Sequence, residues 1–220
     1  MKHTLITGAT GMVGGQVLQA LLGQESVNEV LSLGRRRTGL ENPKFREIVH
    51  EDFLDYSGLE SELASVDVCF HCLATYQSQV TREEYERITC GFPQALAQAL
   101  YSANPDAVFV LFSAGGADPT GTSRMSFARI KGKAEKIIDD IGFPAKLFFR
   151  PGYIHPTSAR GRRGFFKKLL APLGWFLLKL FPGSGVTDAE LGRAMVKAGL
   201  ESPGGTHVYE NRDIRKLMHQ

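Results

Sequence analysis

Three glycines, with two residues between each and the next, carry the clearest chemical signal in this chain. They lie in Thr7-Gly8-Ala9-Thr10-Gly11-Met12-Val13-Gly14, after a short apolar run and before a helical pattern. In such a turn the first glycine allows a tight exit from a strand. The second lets the backbone approach a pyrophosphate, and the third lets helix and strand pack closely. The helix start then offers unpaired amides and a partial positive charge to phosphates. The spacing is G-x-x-G-x-x-G rather than G-x-G-x-x-G. Its place between a strand and a helix points to a dinucleotide, with Gly8, Thr10, Gly11, Met12 and Val13 as the expected contacts.

The next signals concern which dinucleotide. An acidic residue about 20 positions past the glycines would bind the 2′-hydroxyl of NAD. Here the chain reads Leu33-Gly34-Arg35-Arg36-Arg37, with no Asp or Glu from residue 30 to 40. Guanidinium groups suit a 2′-phosphate through charge-assisted bonds. The expected cofactor is therefore NADP(H), held by Arg35 and Arg36; the plainer reading is a solvated basic turn. Asp52 could accept from the adenine amino group while Phe53 packs nearby, or Asp52 is a solvated loop residue. Leu73 and Ala74 end a strand, where small residues let a nicotinamide ribose lie close. Cys69-Phe70-His71-Cys72 has C-x-x-C spacing but falls in a strand. There positions i and i+3 face opposite sides, so two buried core cysteines are expected rather than a redox pair.

Short apolar runs alternating with longer helical patterns position these residues. Strands are expected at His3–Thr7, Glu29–Leu33, Phe45–Val49, Val66–His71, Ala107–Phe112 and Ala145–Phe149. Helices are expected at Met12–Leu22, Arg82–Tyr101 (kinked at Pro93), Phe127–Ile141, Phe165–Leu180 and Asp188–Leu200. That order implies an α/β fold, a doubly wound, mostly parallel sheet of Rossmann type. One domain spanning 1–220 is expected, with a small helical substrate-covering elaboration in about 151–205.

Composition narrows the partners. Of 220 residues, 26 are Lys or Arg and 23 Asp or Glu, a net charge of +3. That excess is too small to argue for nucleic acid. Three cysteines exclude a disulfide scaffold. The N-terminus lacks a signal-peptide pattern, so cytoplasm is the expected compartment.

With these residues in hand, the chain resembles the atypical short-chain dehydrogenase/reductases. It is similar to the small NAD(P)-binding oxidoreductases grouped with the HIV Tat-interactive protein. The matching pieces are the glycine turn, Leu73-Ala74-Thr75, Phe112-Ser113-Ala114, Lys131-Gly132-Lys133-Ala134-Glu135, Arg150-Pro151-Gly152, Leu191-Gly192-Arg193-Ala194-Met195 and Tyr209 to Ile214. The resemblance implies that Ser113 orients the acceptor, that Lys131 holds the nicotinamide ribose, and that Pro151 lies beside the cofactor. It also implies a tyrosine four residues before the lysine, where this chain has Phe127. Losing a general acid costs roughly 10²–10⁴ in rate, so ordinary carbonyl chemistry should suffer while cofactor binding survives. Tyr153 and His155 are candidate substitute proton donors.

The expected activity is NADP(H)-dependent hydride transfer to a small apolar, quinone-like or flavin acceptor. The alternative is a catalytically weak NADPH-binding regulatory or assembly protein. Epimerase chemistry on a nucleotide sugar is disfavoured by the short region after residue 151. The basic apolar segment 160–181 packs over the substrate or docks weakly on a membrane surface or protein partner. Helix Arg82–Tyr101 could build a homodimer, as it does in many short-chain reductases.

Overall fold

The computed structural model describes residues 1–157 and 185–219. The expected helix Phe165–Leu180, the docking segment 160–181 and most of the substrate-covering region lie outside the described residues.

Seven strands form one sheet of order β3-β2-β1-β4-β5-β6-β9, and every pairing in it is parallel. They are β1 (Lys2–Thr7), β2 (Val27–Gly34), β3 (Phe45–Val49), β4 (Val68–His71), β5 (Val108–Phe112), β6 (Ala145–Arg150) and β9 (Gly205–Glu210). The central runs are apolar throughout because helices cover both faces. Leu5, Cys69, Phe109 and Phe148 face one apolar cluster. Ile6, Val68, Phe70, Val110 and Leu147 face the other. This is the expected doubly wound α/β fold. Between β1 and β4 the chain order reverses, and crevices form at the carboxyl ends of strands at such a point.

One face packs α1 (Met12–Leu22) against the helix Asp188–Glu201. The closeness is enforced at Gly192, where a Cβ would stand 2.7 Å from the Gln16 Cβ. The other face carries α2 (Glu60–Ala64), α3 (Arg82–Glu86), α4 (Phe92–Ala103) and α5 (Ser126–Asp139). The later helices are α6 (Asp188–Glu201), begun by a Thr187–Glu190 capping box, and α7 (Asn211–His219). A two-stranded parallel pair, β7 (Tyr153–His155) with β8 (Gly185–Thr187), stands apart from the main sheet.

The expected single helix Arg82–Tyr101 is three pieces, α3, a π turn at Arg87–Gly91, and α4. The irregularity thus precedes Pro93, which sits in the first turn of α4. Proline lacks the amide that would bond four residues back, and the wider π turn accommodates that gap.

Candidate functional site

The glycine turn has the geometry its spacing implies. Gly8 has φ +77°, and a Cβ there would lie 2.7 Å from the Cys72 carbonyl carbon. A Cβ on Gly14 would lie 2.2 Å from the Gly8 carbonyl oxygen. The Gly11 amide donates to that same oxygen at 2.9 Å. No side chain caps α1, whose Ncap is Gly11. Bare amides at the helix start, fronted by glycine, form an anion cradle. The backbone therefore fits a pyrophosphate, and the residues around it can be tested against the rest of a dinucleotide.

Two joined spaces run along the carboxyl ends of the strands. The outer one, about 150 Å³, is lined by Gly8, Ala9, Thr10, Gly11, Ser32, Gly34, Arg35, Arg36, Phe53, Cys72, Leu73 and Ala74. No carboxylate is among those lining residues. The inner one, about 450 Å³, shares Thr10, Gly11, Cys72 and Ala74 and adds Met12, Val13, Ser113, Phe127, Lys131 and Pro151. Thirteen of the fourteen positions singled out from the sequence therefore line one continuous trough. Asp52 is the exception. It is exposed, and its carboxylate accepts from the Leu54 amide at 2.9 Å in a turn of its own.

The inner cavity is built on α5. One helical turn separates Phe127 from Lys131 and places both on its wall. Phe127 stacks on Tyr85, with ring centroids 6.5 Å apart. Lys131 is 8% exposed, and its Nζ stands 6.0 Å from the Phe112 ring centre. Burial lowers its pKa to about 8, against the opposing pull of Glu135. Gly132 lets the loop after β5 close on this helix, since a Cβ there would meet the Asp118 carbonyl at 1.9 Å. The Asp118 carboxylate ties that loop through Thr120 and Ser123 and is held down to about 2 by those bonds.

Ser113 differs from the expected picture. It is 2% exposed, and its hydroxyl donates to the Glu135 carboxylate at 2.5 Å. Glu135, also 2% exposed, is bound in turn by the Arg150 guanidinium through Nε at 2.9 Å and by Nη2. The serine proton is thus turned into the protein, and Ser113 presents lone pairs to the cavity. Sequence reading missed Glu135, although four residues from Lys131 on one helix put it on the same face. It missed Arg150 as an ion-pair partner and Tyr76 and Tyr85 as wall residues. No periodic signal marks the two tyrosines, which follow β4 in irregular chain and a short helix. Of the segment offered for substitute proton donors, Ile154 lines the cavity, whereas Tyr153 and His155 flank it on the alternate face of β7. Cys69 and Cys72 are free and buried in opposite clusters, as expected of a strand pair.

Comparison with known proteins places this chain in a family. The model of the NAD dependent epimerase/dehydratase family matches residues 4–128. The chain belongs to that family. "Protein HTATIP2" of Rattus norvegicus is 28% identical over 98% of this chain and 89% of its own length. "Protein FMP52, mitochondrial" of Coccidioides immitis is 27% identical over 99% and 93%. The expected relationship to the short-chain dehydrogenase/reductase group holds. Among solved structures, MoeE5 in complex with UDP-glucose and NAD superposes with a TM-score of 0.68 at 18% identity, over 94% of this chain and 75% of that one. WbmF of Bordetella bronchiseptica in complex with NAD⁺ gives 0.68 at 14% identity, over 99% and 78%. These last two share the fold. No helix among the described residues is long and apolar enough to cross a membrane. The mitochondrial label on the Coccidioides relative lends nothing to the cytoplasmic expectation.

Proposed function

We propose that this family member is an NADP(H)-dependent oxidoreductase. The observation that carries the reading is the outer cleft, where Arg35 and Arg36 line the wall beside the glycine turn and no carboxylate joins them among its lining residues. A ribose 2′-phosphate carries charge that an acidic residue would repel and two guanidiniums would neutralise. Gly8, Gly11 and the α1 amides would hold the pyrophosphate, Phe53 the adenine side, and Lys131 the nicotinamide ribose. The cofactor, when bound, supplies the hydride.

The wall of the inner cavity supports the acceptor class. Met12, Val13, Tyr85, Phe112, Phe127 and Ile154 make it apolar and aromatic. A flat apolar ring system fits such a wall, and quinones and flavins supply much of their own redox chemistry. That suits a site with Phe127 at the phenol position and with the Ser113 proton committed to Glu135. These two facts also favour a second reading, a cofactor-binding protein with little turnover that docks a partner.

Purified protein should oxidise NADPH with quinones or free flavins, faster than with aldehydes or ketones. Arg35→Ala with Arg36→Ala should cut the NADPH:NADH affinity ratio at least tenfold, because each charge-assisted bond contributes about 1.5–3 kcal/mol. An unchanged ratio refutes the NADP(H) assignment. Tight NADPH binding with no turnover on any acceptor selects the second reading.

A further inference from the structure

A second, much smaller space lies on the sheet side of Lys131. It measures about 10 Å³ and is lined by His71, Thr89, Leu111, Phe112, Ser113 and Lys131, among others. That is about the volume one water molecule needs. His71, at the end of β4, is 1% exposed. Its Nδ1 lies 3.0 Å from the Thr7 hydroxyl oxygen, while its Nε2 is buried with no hydrogen-bond partner. A buried ring nitrogen without a partner is rare in folded proteins. Here it belongs to a residue on the wall of a water-sized void that also holds an ammonium and two hydroxyls.

We infer that this void binds one water molecule, which accepts a hydrogen bond from the Lys131 ammonium and donates one to His71 Nε2. His71 is then a positioning residue that anchors Lys131 to the sheet. The arrangement requires His71 to be neutral, with its proton on Nδ1 and donated to Thr7 Oγ1. Burial, reinforced by the Lys131 charge, holds the His71 pKa down to about 3, so the ring is neutral at physiological pH. The Thr89 and Ser113 hydroxyls complete the two to four polar neighbours that buried water usually has.

The bridge bears on a group that titrates close to neutrality. Lys131 is drawn down to about 8 by burial. The groups that face it are few. Glu135, on its own helix, favours the ammonium and is itself paired with Arg150 from β6. Cys90, on the π turn, is neutral because burial raises its thiol to about 11. Tyr85, on α3, shares the inner cavity wall and is neutral because burial raises its phenol, and His71, on β4, faces Lys131 across the small void. A water that accepts a hydrogen bond from the ammonium, while donating its own hydrogen to the imidazole lone pair, stabilises the charged form of Lys131, so its loss moves the Lys131 titration down.

Two measurements decide it. In the wild-type protein, long-range ¹H–¹⁵N spectra should show His71 as the Nδ1–H tautomer from pH 6 to 8. Water-selective cross-relaxation spectra should show a long-lived water contact to protons of Thr89 and Leu111. An Nε2–H tautomer, or a dry void, overturns the inference. The second measurement rests on the cofactor reading above. NADPH affinity should fall about tenfold through a midpoint near pH 8, as the ammonium is lost. His71→Leu should lower that midpoint by about one unit. His71→Gln, whose amide reaches the Nε2 position, should restore it. A midpoint unmoved by His71→Leu, or moved equally by both variants, overturns the bridge. Wild-type protein that binds no NADPH overturns the cofactor reading instead, and the spectra still decide the water.

Discussion

Phe127 is the residue on which the chemistry turns. It occupies the cavity wall one helical turn from Lys131, stacked on Tyr85. Phe127→Tyr adds one hydroxyl on a half-buried ring, so folding and NADPH affinity should be unchanged. If the missing phenol is what limits proton transfer, aldehyde and ketone reduction should rise by roughly 10²–10⁴, read as NADPH oxidation under saturating cofactor. No rise would mean that Lys131 and Ser113 are not placed for such chemistry. Lys131 itself has a thermodynamic signature. Its folded pKa of about 8 lies below the ordinary lysine value of 10.5. Between those values the unfolded chain holds a proton that the folded chain has released, so stability rises with pH across that window. Below pH 8 the buried ammonium costs the fold about 3 kcal/mol. Lys131→Met should therefore raise stability to denaturant at pH 7 by up to that amount, flatten its rise between pH 8 and 10, and weaken NADPH binding. Chemical denaturation at pH 7 and 9.5 measures the first two effects.

The elements show which parts of the fold a sequence can reveal. Strands β1, β4, β5 and β6 and helices α1, α5 and α6 were readable because each is apolar along one period and long enough to display it. Strand β9 was not, since Gly-Thr-His-Val-Tyr-Glu lies at the sheet edge and is half exposed. Helix α2 has five residues, too few to show a helical period. The π turn is invisible to periodicity because it shifts the pattern by one residue within a helix that looks continuous. In the site, the glycine turn was readable from backbone requirements that only glycine meets. The Ser113–Glu135–Arg150 chain was not, because its members come from three separate elements. Gly132 is the element-level test. A methyl group there would occupy space held by the Asp118 carbonyl, at 1.9 Å, and backbone cannot yield as a side-chain tip can. Gly132→Ala should lower stability by about 1–3 kcal/mol and free the loop that contains Asp118 from α5. The glycine cradle lies on the far side of the trough and should keep its NADPH affinity. Denaturant midpoints and amide exchange of Thr120 and Ser123 report the two effects separately, and a variant as stable as wild type would refute the contact.

At the scale of the whole molecule, strand order puts the trough where the chain order reverses between β1 and β4, and the same order buries His71 against it. His71 pairs across from Thr7 in register and reaches solvent nowhere. The cost of that burial falls on acid stability. Folded His71 titrates at about 3, against 6.5 for the free side chain. Below pH 6.5 the unfolded chain therefore binds a proton that the folded chain refuses, and stability is lost as pH falls towards 3. The gap corresponds to about 5 kcal/mol, comparable with the whole stability of many domains, about 5–15 kcal/mol. Asp118, held at about 2 by its turn, adds a loss in the same direction once pH falls below its ordinary range. A depressed carboxylate such as Asp118, Glu86 or Glu190 loses its contribution only below the ordinary carboxyl range, so the acid limb between pH 6.5 and 4.5 belongs mainly to His71. Wild-type protein should lose about 2–3 kcal/mol between pH 7 and 4.5 in equilibrium denaturation. His71→Gln, which cannot take up the proton in either state, should lose much less over the same interval, even if it is the weaker of the two at pH 7. Parallel acid limbs in the two proteins would mean that other groups drive acid unfolding and that His71 is not held neutral by the fold.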